Sequence, residues 1–337
     1  MMAKVGIIAN PASGKDIRRL IAQGSVFTNL EKVNIVRRVL LSLQAMDIEE
    51  AIFMPDYFGI GLKAVDGLHL TMSVSTLEMK YHGDQTDTTI AAALMAEKGV
   101  GCIVTLGGDG TNRAVAKSNI LTPLMPISTG TNNVFPLMVE GTIAGLAAAI
   151  VANQSLPNSV TCQRQNRFEI ILNDQLADIA LVDVAVYDDR FIGSRAVWDM
   201  SKVRSIFLTR TEAGHIGLSS VAGSLSGIDF NSREGMYVEL GDSDLQVIAP
   251  IAPGRLDRIS ITSYQKMKLA DSIEVHHKPS VLALDGEREV EVRQDDRVLI
   301  RFSDEGPYVV DVQTTMNLAA SNGLFIRHAN SSENHTQ

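Results

Sequence analysis

The stretch Leu106-Gly107-Gly108-Asp109-Gly110-Thr111-Asn112-Arg113 decides how the chain is read. A short apolar run, Cys102-Ile103-Val104-Thr105-Leu106, precedes it, and a helix-like segment from Asn112 to Ser118 follows. Three glycines in four positions let the backbone turn tightly and approach a ligand with no Cβ in the way. A turn between a buried strand and a helix start aims several N–H groups at one spot, which suits a phosphate. Asp109 is the exception within that turn. A carboxylate beside a phosphate is costly, so it points to a metal or to a hydroxyl proton as its partner. Taken alone, the same residues also read as an ordinary Gly-Asp turn after a strand.

Two further units repeat the pattern. Val5-Gly6-Ile7-Ile8-Ala9 is a β-rich apolar run that opens into Asn10-Pro11-Ala12-Ser13-Gly14-Lys15 and a helix over Asp16 to Ala22. That turn is not a Walker A loop, which needs Gly at position 9 and Ser or Thr at position 16, where Ala9 and Asp16 stand. Asn10, Ser13 and the turn's N–H groups suit a phosphate or hydroxyl; a plain polar connection is the other reading. Met125 to Ser128 is a third short apolar piece, followed by Thr129-Gly130-Thr131-Asn132-Asn133. Three such turns on parallel strands gather at the carboxyl edge of one α/β sheet, where ligands sit. Between them, helices are expected over Glu31 to Ala45 and from Asp84 or Thr86 to Lys98, and strands over Ala51 to Met54 and Leu68 to Val74; an alanine-rich helix over Gly141 to Asn153 closes the half.

Beyond about residue 155 the pattern becomes short strands separated by Gly, Asp and Asn turns, including Phe168 to Leu172, Ala177 to Tyr187, Gly235 to Leu240 and Ser280 to Leu284. This predicts an α/β domain with a parallel sheet over 1–153, a β-rich sandwich-like domain over 154–325 and a disordered tail over 326–337. The totals agree: 337 residues, 45% hydrophobic and 20% charged, are enough for two cores. A net charge of −9 argues against a nucleic-acid or polybasic membrane partner. Cys102 and Cys162 read as buried thiols of a reducing compartment. With no visible signal peptide and no apolar stretch long enough to span a bilayer, a cytoplasmic protein is expected. Arg195, Lys202, Arg204 and Arg210 form a loose basic cluster that either steers an anion or is a solvated face.

The Asn-Pro-Ala-Ser-Gly, Gly-Gly-Asp-Gly-Thr and Thr-Gly-Thr-Asn-Asn turns, with Leu284-Asp285-Gly286-Glu287 downstream, resemble the superfamily of NAD kinases and diacylglycerol or sphingoid lipid kinases. Ile248-Ala249-Pro250-Ile251-Ala252-Pro253-Gly254 and Thr211 to Ser219 resemble NAD-kinase segments, and the combination is most similar to the acetoin catabolism protein X group. The resemblance implies an ATP- and Mg²⁺-dependent kinase acting on a hydroxyl, with NAD as first acceptor. Another hydroxyl substrate, lipid or acetoin-pathway metabolite, and a non-catalytic nucleotide sensor are the alternatives. It implies Asp109 as the catalytic base, and Gly107, Gly108, Gly110 and Thr111, next to Asn112, as the phosphate cradle. It implies nucleotide contacts from Asn10, Ser13, Gly14, Thr129, Gly130, Thr131, Asn132 and Asn133, and metal contacts from Asp285 and Glu287. Asp285-Gly286 reads equally as a hairpin turn. Asp183 stands where the family carries an acid that touches the dinucleotide, but Val182 replaces the amide usually found before it. The resemblance also implies a homo-oligomer.

Overall fold

The computed structural model describes residues 3–14, 27–190, 199–225 and 234–327. The helix expected over 16–22, Arg195, Trp198 and the end of the tail lie outside them. Five parallel strands form, four of them from apolar runs and β3 from a polar edge segment: β1 (Lys4–Ala9), β2 (Glu50–Phe53), β3 (Ser73–Thr76), β4 (Cys102–Gly107) and β5 (Leu124–Ser128). Between and beyond them run α1 (Asn29–Ala45), α2 (Ile60–Val65), α3 (Gln85–Glu97), α4 (Asp109–Ala116) and α5 (Gly141–Ala152). Asp84 caps α3 by accepting from Thr86 N at 2.8 Å. One face of the sheet packs against α1, α2 and α5, the other against α3 and α4. Both faces being covered is why β1 and β4 read as unbroken apolar runs.

The second half supplies β6 (Cys162–Arg164), β7 (Arg167–Leu172), β8 (Gln175–Ala180), β9 (Asp183–Tyr187), β10 (Val203–Leu208), β11 (Gly235–Leu240), β12 (Gln246–Ala252) and β13 (Arg255–Met267). It continues with β14 (Ser272–Glu274), β15 (Ser280–Leu284), β16 (Glu287–Val292), β17 (Val298–Ser303) and β18 (Tyr308–Val310). Seven of these form an antiparallel sheet in the order β12-β13-β11-β10-β9-β15-β16, and four form another, β14-β17-β7-β8. Phe168 and Phe302 from the small sheet meet Phe207 and Leu282 from the large one, so the two pack as a sandwich.

The first sheet is not built from the first half alone. The first sheet runs β3-β2-β1-β4-β5-β18-β6, so strands from both ends of the second half complete it. A helix over Val312–Ser321, absent from the sequence reading, packs on the same core through Ala319 and Met316. Local shifts occur as well. The strand expected over 68–74 occupies 73–76, and the helix after the glycine turn begins at Asp109. The single strand expected over 177–187 is two strands in different sheets, parted at Leu181 and Val182.

Candidate active site

Strand order sets β1, β4 and β5 side by side, so the turns leaving their carboxyl ends are neighbours. They touch. Asn10 Nδ2 donates to Thr111 Oγ1 at 3.0 Å, and the Ser13 and Thr129 hydroxyls share a 3.0 Å hydrogen bond. Asn133 closes over the central turn, where a Cβ on Gly108 would stand 2.7 Å from its Oδ1. The β15–β16 hairpin enters from the other side, carrying Asp285 and Glu287. Between them lies a cleft of about 440 Å³. Its walls include Asn10, Ser13, Gly14, Gly108, Asp109, Gly110, Thr111, Thr129, Gly130, Asn132, Asn133 and Glu287.

Gly108 is the extended N-cap of α4, with no side-chain cap, so the first N–H groups of the helix face this region with no intrahelical partner. An anion is the natural partner for such a terminus. The glycines matter unequally. A Cβ on Gly107 would lie 2.4 Å from both Cβ and Oγ1 of Thr111, whereas one on Gly110 would meet Glu287 Oε1 at an ordinary 3.5 Å. Gly107→Ala must therefore displace Thr111 from Asn10, and overpacking of this kind costs about 1–3 kcal/mol. Titration calorimetry with inorganic pyrophosphate should show affinity reduced about tenfold or more in Gly107→Ala, with Gly110→Ala near the parent.

Asp109 is the first residue of α4 and half-buried. Its Oδ1 accepts from Val134 N at 3.0 Å and Phe135 N at 2.8 Å, and Oδ2 accepts from Val134 N at 3.2 Å. The carboxylate is thus aimed by the backbone that follows the third turn. Val134 and Phe135 are themselves packed against Leu181 and Val182 of the second half. A fully buried lysine supports the first turn from beneath: Lys32 Nζ donates to the carbonyls of Asn10 and Ser13, both at 2.7 Å, and to Asn29 Oδ1 at 3.2 Å. Sequence reading missed Lys32. Its position four residues before Val36, on the stripe that buries α1, was the available signal.

Three expected contacts fall elsewhere, and a fourth, Asp285, borders the cleft with its carboxylate turned to other partners. Asn112 is fully buried, taking a hydrogen bond from Thr105 Oγ1 at 2.7 Å and donating to the Gly108 carbonyl at 2.9 Å; it ties α4 to β4. Thr131 is exposed and contacts Asn132 at 3.4 Å, off the cleft wall. Asp183, expected to touch the ligand, is buried at the start of β9, and its carbonyl accepts from Asp285 N at 2.9 Å. Asp285 is not arranged as a metal ligand. Its side chain is wholly buried, Oδ1 accepts from the N–H groups of Leu181, Val182 and Asp183 at 2.8–3.3 Å, and Oδ2 lies 3.5 Å from Arg113 Nε. Burial pushes this carboxyl above its ordinary range, against the pull of Arg113 and the three amides. The hairpin reading of Asp285-Gly286 holds too, with φ of 51° and 79° between paired Leu284 and Glu287.

Glu287 does reach the cleft and accepts from Gln85 Nε2 at 3.0 Å. Among the described residues there is no group of three or more His, Cys, Asp or Glu placed to hold a metal. Mg²⁺ fits such a site, because it binds through one or two carboxylates together with substrate phosphates and water. Glu287 is the predicted ligand that remains placed for it. The rim adds the helix cap Asp84 and residues that sequence reading did not single out: Asp56 and the exposed rings of Tyr57 and Tyr81. The expected basic cluster dissolves. Lys202 pairs with Asp189 at 3.5 Å, Arg204 pairs with Asp188, and Arg210 lies apart from them near Phe135.

Comparison with known proteins matches residues 5–155 to the ATP-NAD kinase N-terminal domain and residues 166–305 to the acetoin catabolism protein X C-terminal domain. The acetoin catabolism protein X of Cupriavidus necator is 35% identical over 336 residues, covering 95% of this chain and 93% of that one. An NAD kinase of Methanosarcina acetivorans is 27% identical over 223 residues, covering 62% and 72%. A solved structure from Bacillus anthracis, assigned as a diacylglycerol kinase, covers 91% of this chain and 97% of that one with a TM-score of 0.47 at 15% identity, a likeness too loose to argue from. The chain belongs to the acetoin catabolism protein X family, whose C-terminal domain here follows an N-terminal domain of the NAD-kinase type.

Proposed function

We propose that this protein is an ATP-dependent kinase that transfers a phosphoryl group to a hydroxyl in the cleft around Asp109. The observation that carries the reading is the convergence of three strand-end turns and the start of α4 on one carboxylate held by two backbone amides. Phosphoryl transfer needs positioning and charge neutralisation more than covalent chemistry. The Gly107–Thr111 turn and the α4 N–H groups bind the transferred phosphate, and Asn10, Ser13 and Thr129 position its neighbours. Asp109 orients the acceptor hydroxyl and takes its proton. Tyr57 and Tyr81 offer ring faces to the donor base at the rim. Glu287 would hold Mg²⁺, which would supply charge neutralisation at the phosphates.

NAD is the first acceptor to try, from the family of the N-terminal domain. The burial of Val182 and Asp183 beneath the cleft favours a different hydroxyl as the second reading. Incubation with γ-labelled ATP, Mg²⁺ and either NAD or a panel of small alcohols and lipids distinguishes them. Labelled NADP supports the first acceptor, and label on another alcohol supports the second. Nucleotide binding with no transfer to any acceptor defeats the enzyme reading in favour of a sensor.

A further inference from the structure

Behind the 134–135 segment lies a second cavity, of about 910 Å³, between the two halves of the chain. Arg210 lines it and is half-buried. Its contacts are all neutral: Nη2 donates to Gln165 Oε1 at 2.6 Å, Nη1 to the Val134 carbonyl at 3.4 Å, and the guanidinium stands 5.0 Å from the centroid of the Phe135 ring. Among the described residues no carboxylate contacts it. Two carboxylates share the cavity wall, but each is engaged elsewhere. Glu212 lies 3.4 Å from His215, and Asp311 caps the 312–321 helix at Thr314 N and accepts from Gln163. Burial pulls the guanidinium's pKa down, against Asp109, Glu212 and Asp285, so the cation is held there at a cost. Phe135 and the exposed side chain of Met138 make part of the wall apolar.

We infer that this cavity is a binding site for a small organic oxyanion, a carboxylate or phosphate head on a short apolar body, recognised by Arg210. A guanidinium presents paired N–H donors that match either head, and desolvation makes such a contact strong. The site is distinct from the transfer cleft but shares a wall with it. Asp109 holds the 134–135 segment by its N–H groups, while Arg210 holds the same segment by a carbonyl and a ring. An oxyanion that draws Arg210 toward itself competes with the Val134 carbonyl, and so acts on the backbone that aims Asp109.

The test is titration calorimetry on the full chain with butyrate, monobutyl phosphate and the neutral butyramide, each with and without ADP and Mg²⁺ in excess. The site predicts that at least one oxyanion binds with Kd of about 1 mM or tighter, that nucleotide does not displace it, and that butyramide gives no signal. Arg210→Gln should weaken that binding about tenfold or more. Absence of binding by both oxyanions, equal binding by butyramide, displacement by ADP, or undiminished binding in a folded Arg210→Gln overturns the assignment. Should that variant not fold, the comparison of acid with amide on the unaltered protein decides. The heat of ADP binding is read separately, so failure of the kinase reading leaves this result intact.

Discussion

On the proposed reading, Asp109→Asn should reduce turnover about 10²–10⁴-fold, while nucleotide affinity and thermal stability should stay close to the parent. The reason lies in how the carboxylate is held. Both amides of the 134–135 segment converge on Oδ1, at 3.0 and 2.8 Å. Asparagine keeps one carbonyl oxygen, which takes over that position and leaves the segment anchored. What is lost is the second oxygen as a proton acceptor, since an amide NH₂ only donates. The substitution therefore separates base from scaffold. The acceptor's KM should move little, because its hydroxyl still meets a hydrogen-bonding group, so the loss appears in kcat. Steady-state transfer of label from ATP, with calorimetry of nucleotide binding alongside, makes the measurement. Unchanged turnover would remove Asp109 from the chemistry and return the Gly-Asp turn to a structural role.

The glycine turns were legible because their chemistry is local. Each follows a short, mostly apolar strand, and each combines glycine with small polar residues. Their convergence was legible too, since parallel strands put all such turns at one edge. Which side chains then face the cleft was not. Asn112 is three residues past Asp109 in the same helix, yet it turns inward to Thr105, and no local pattern says which face of α4 meets the sheet. Strand 177–187 was read as continuous because its apolar run does not stop. The break is made by the Asp285 carboxylate, about a hundred residues away, gathering the N–H groups of Leu181, Val182 and Asp183. The return of β18 and the 312–321 helix to the first sheet is equally non-local. Buried charges are the blind spot: Lys32 and Arg113 carry no mark in composition and are defined by partners distant in sequence.

Arg113→Met should destabilise the protein by about 3–5 kcal/mol, the largest stability effect expected here. Arg113 lies on α4, and its side chain is fully buried. It meets three carboxylates of the second half: Asp178 at 3.4 Å, Asp285 at 3.5 Å and Glu289 at 2.9 Å. Methionine fills similar volume, so the loss is electrostatic rather than a cavity. Asp285 is then left in apolar surroundings with only its backbone donors. Burial already raises its proton affinity, and removing the cation raises it further. The sign follows: a folded-state pKa above the unfolded one stabilises in acid and loses that contribution as pH rises through it. The deficit of Arg113→Met should therefore be smallest at low pH and widen as pH rises, read from urea denaturation midpoints across the range. Adding Asp285→Asn should recover part of the loss, since the uncompensated charge goes with it. Activity should fall as well, because the same hairpin that carries Asp285 sets Glu287 against Gln85 at the cleft. A pH-independent deficit, or none, would mean that the network does not join the two halves.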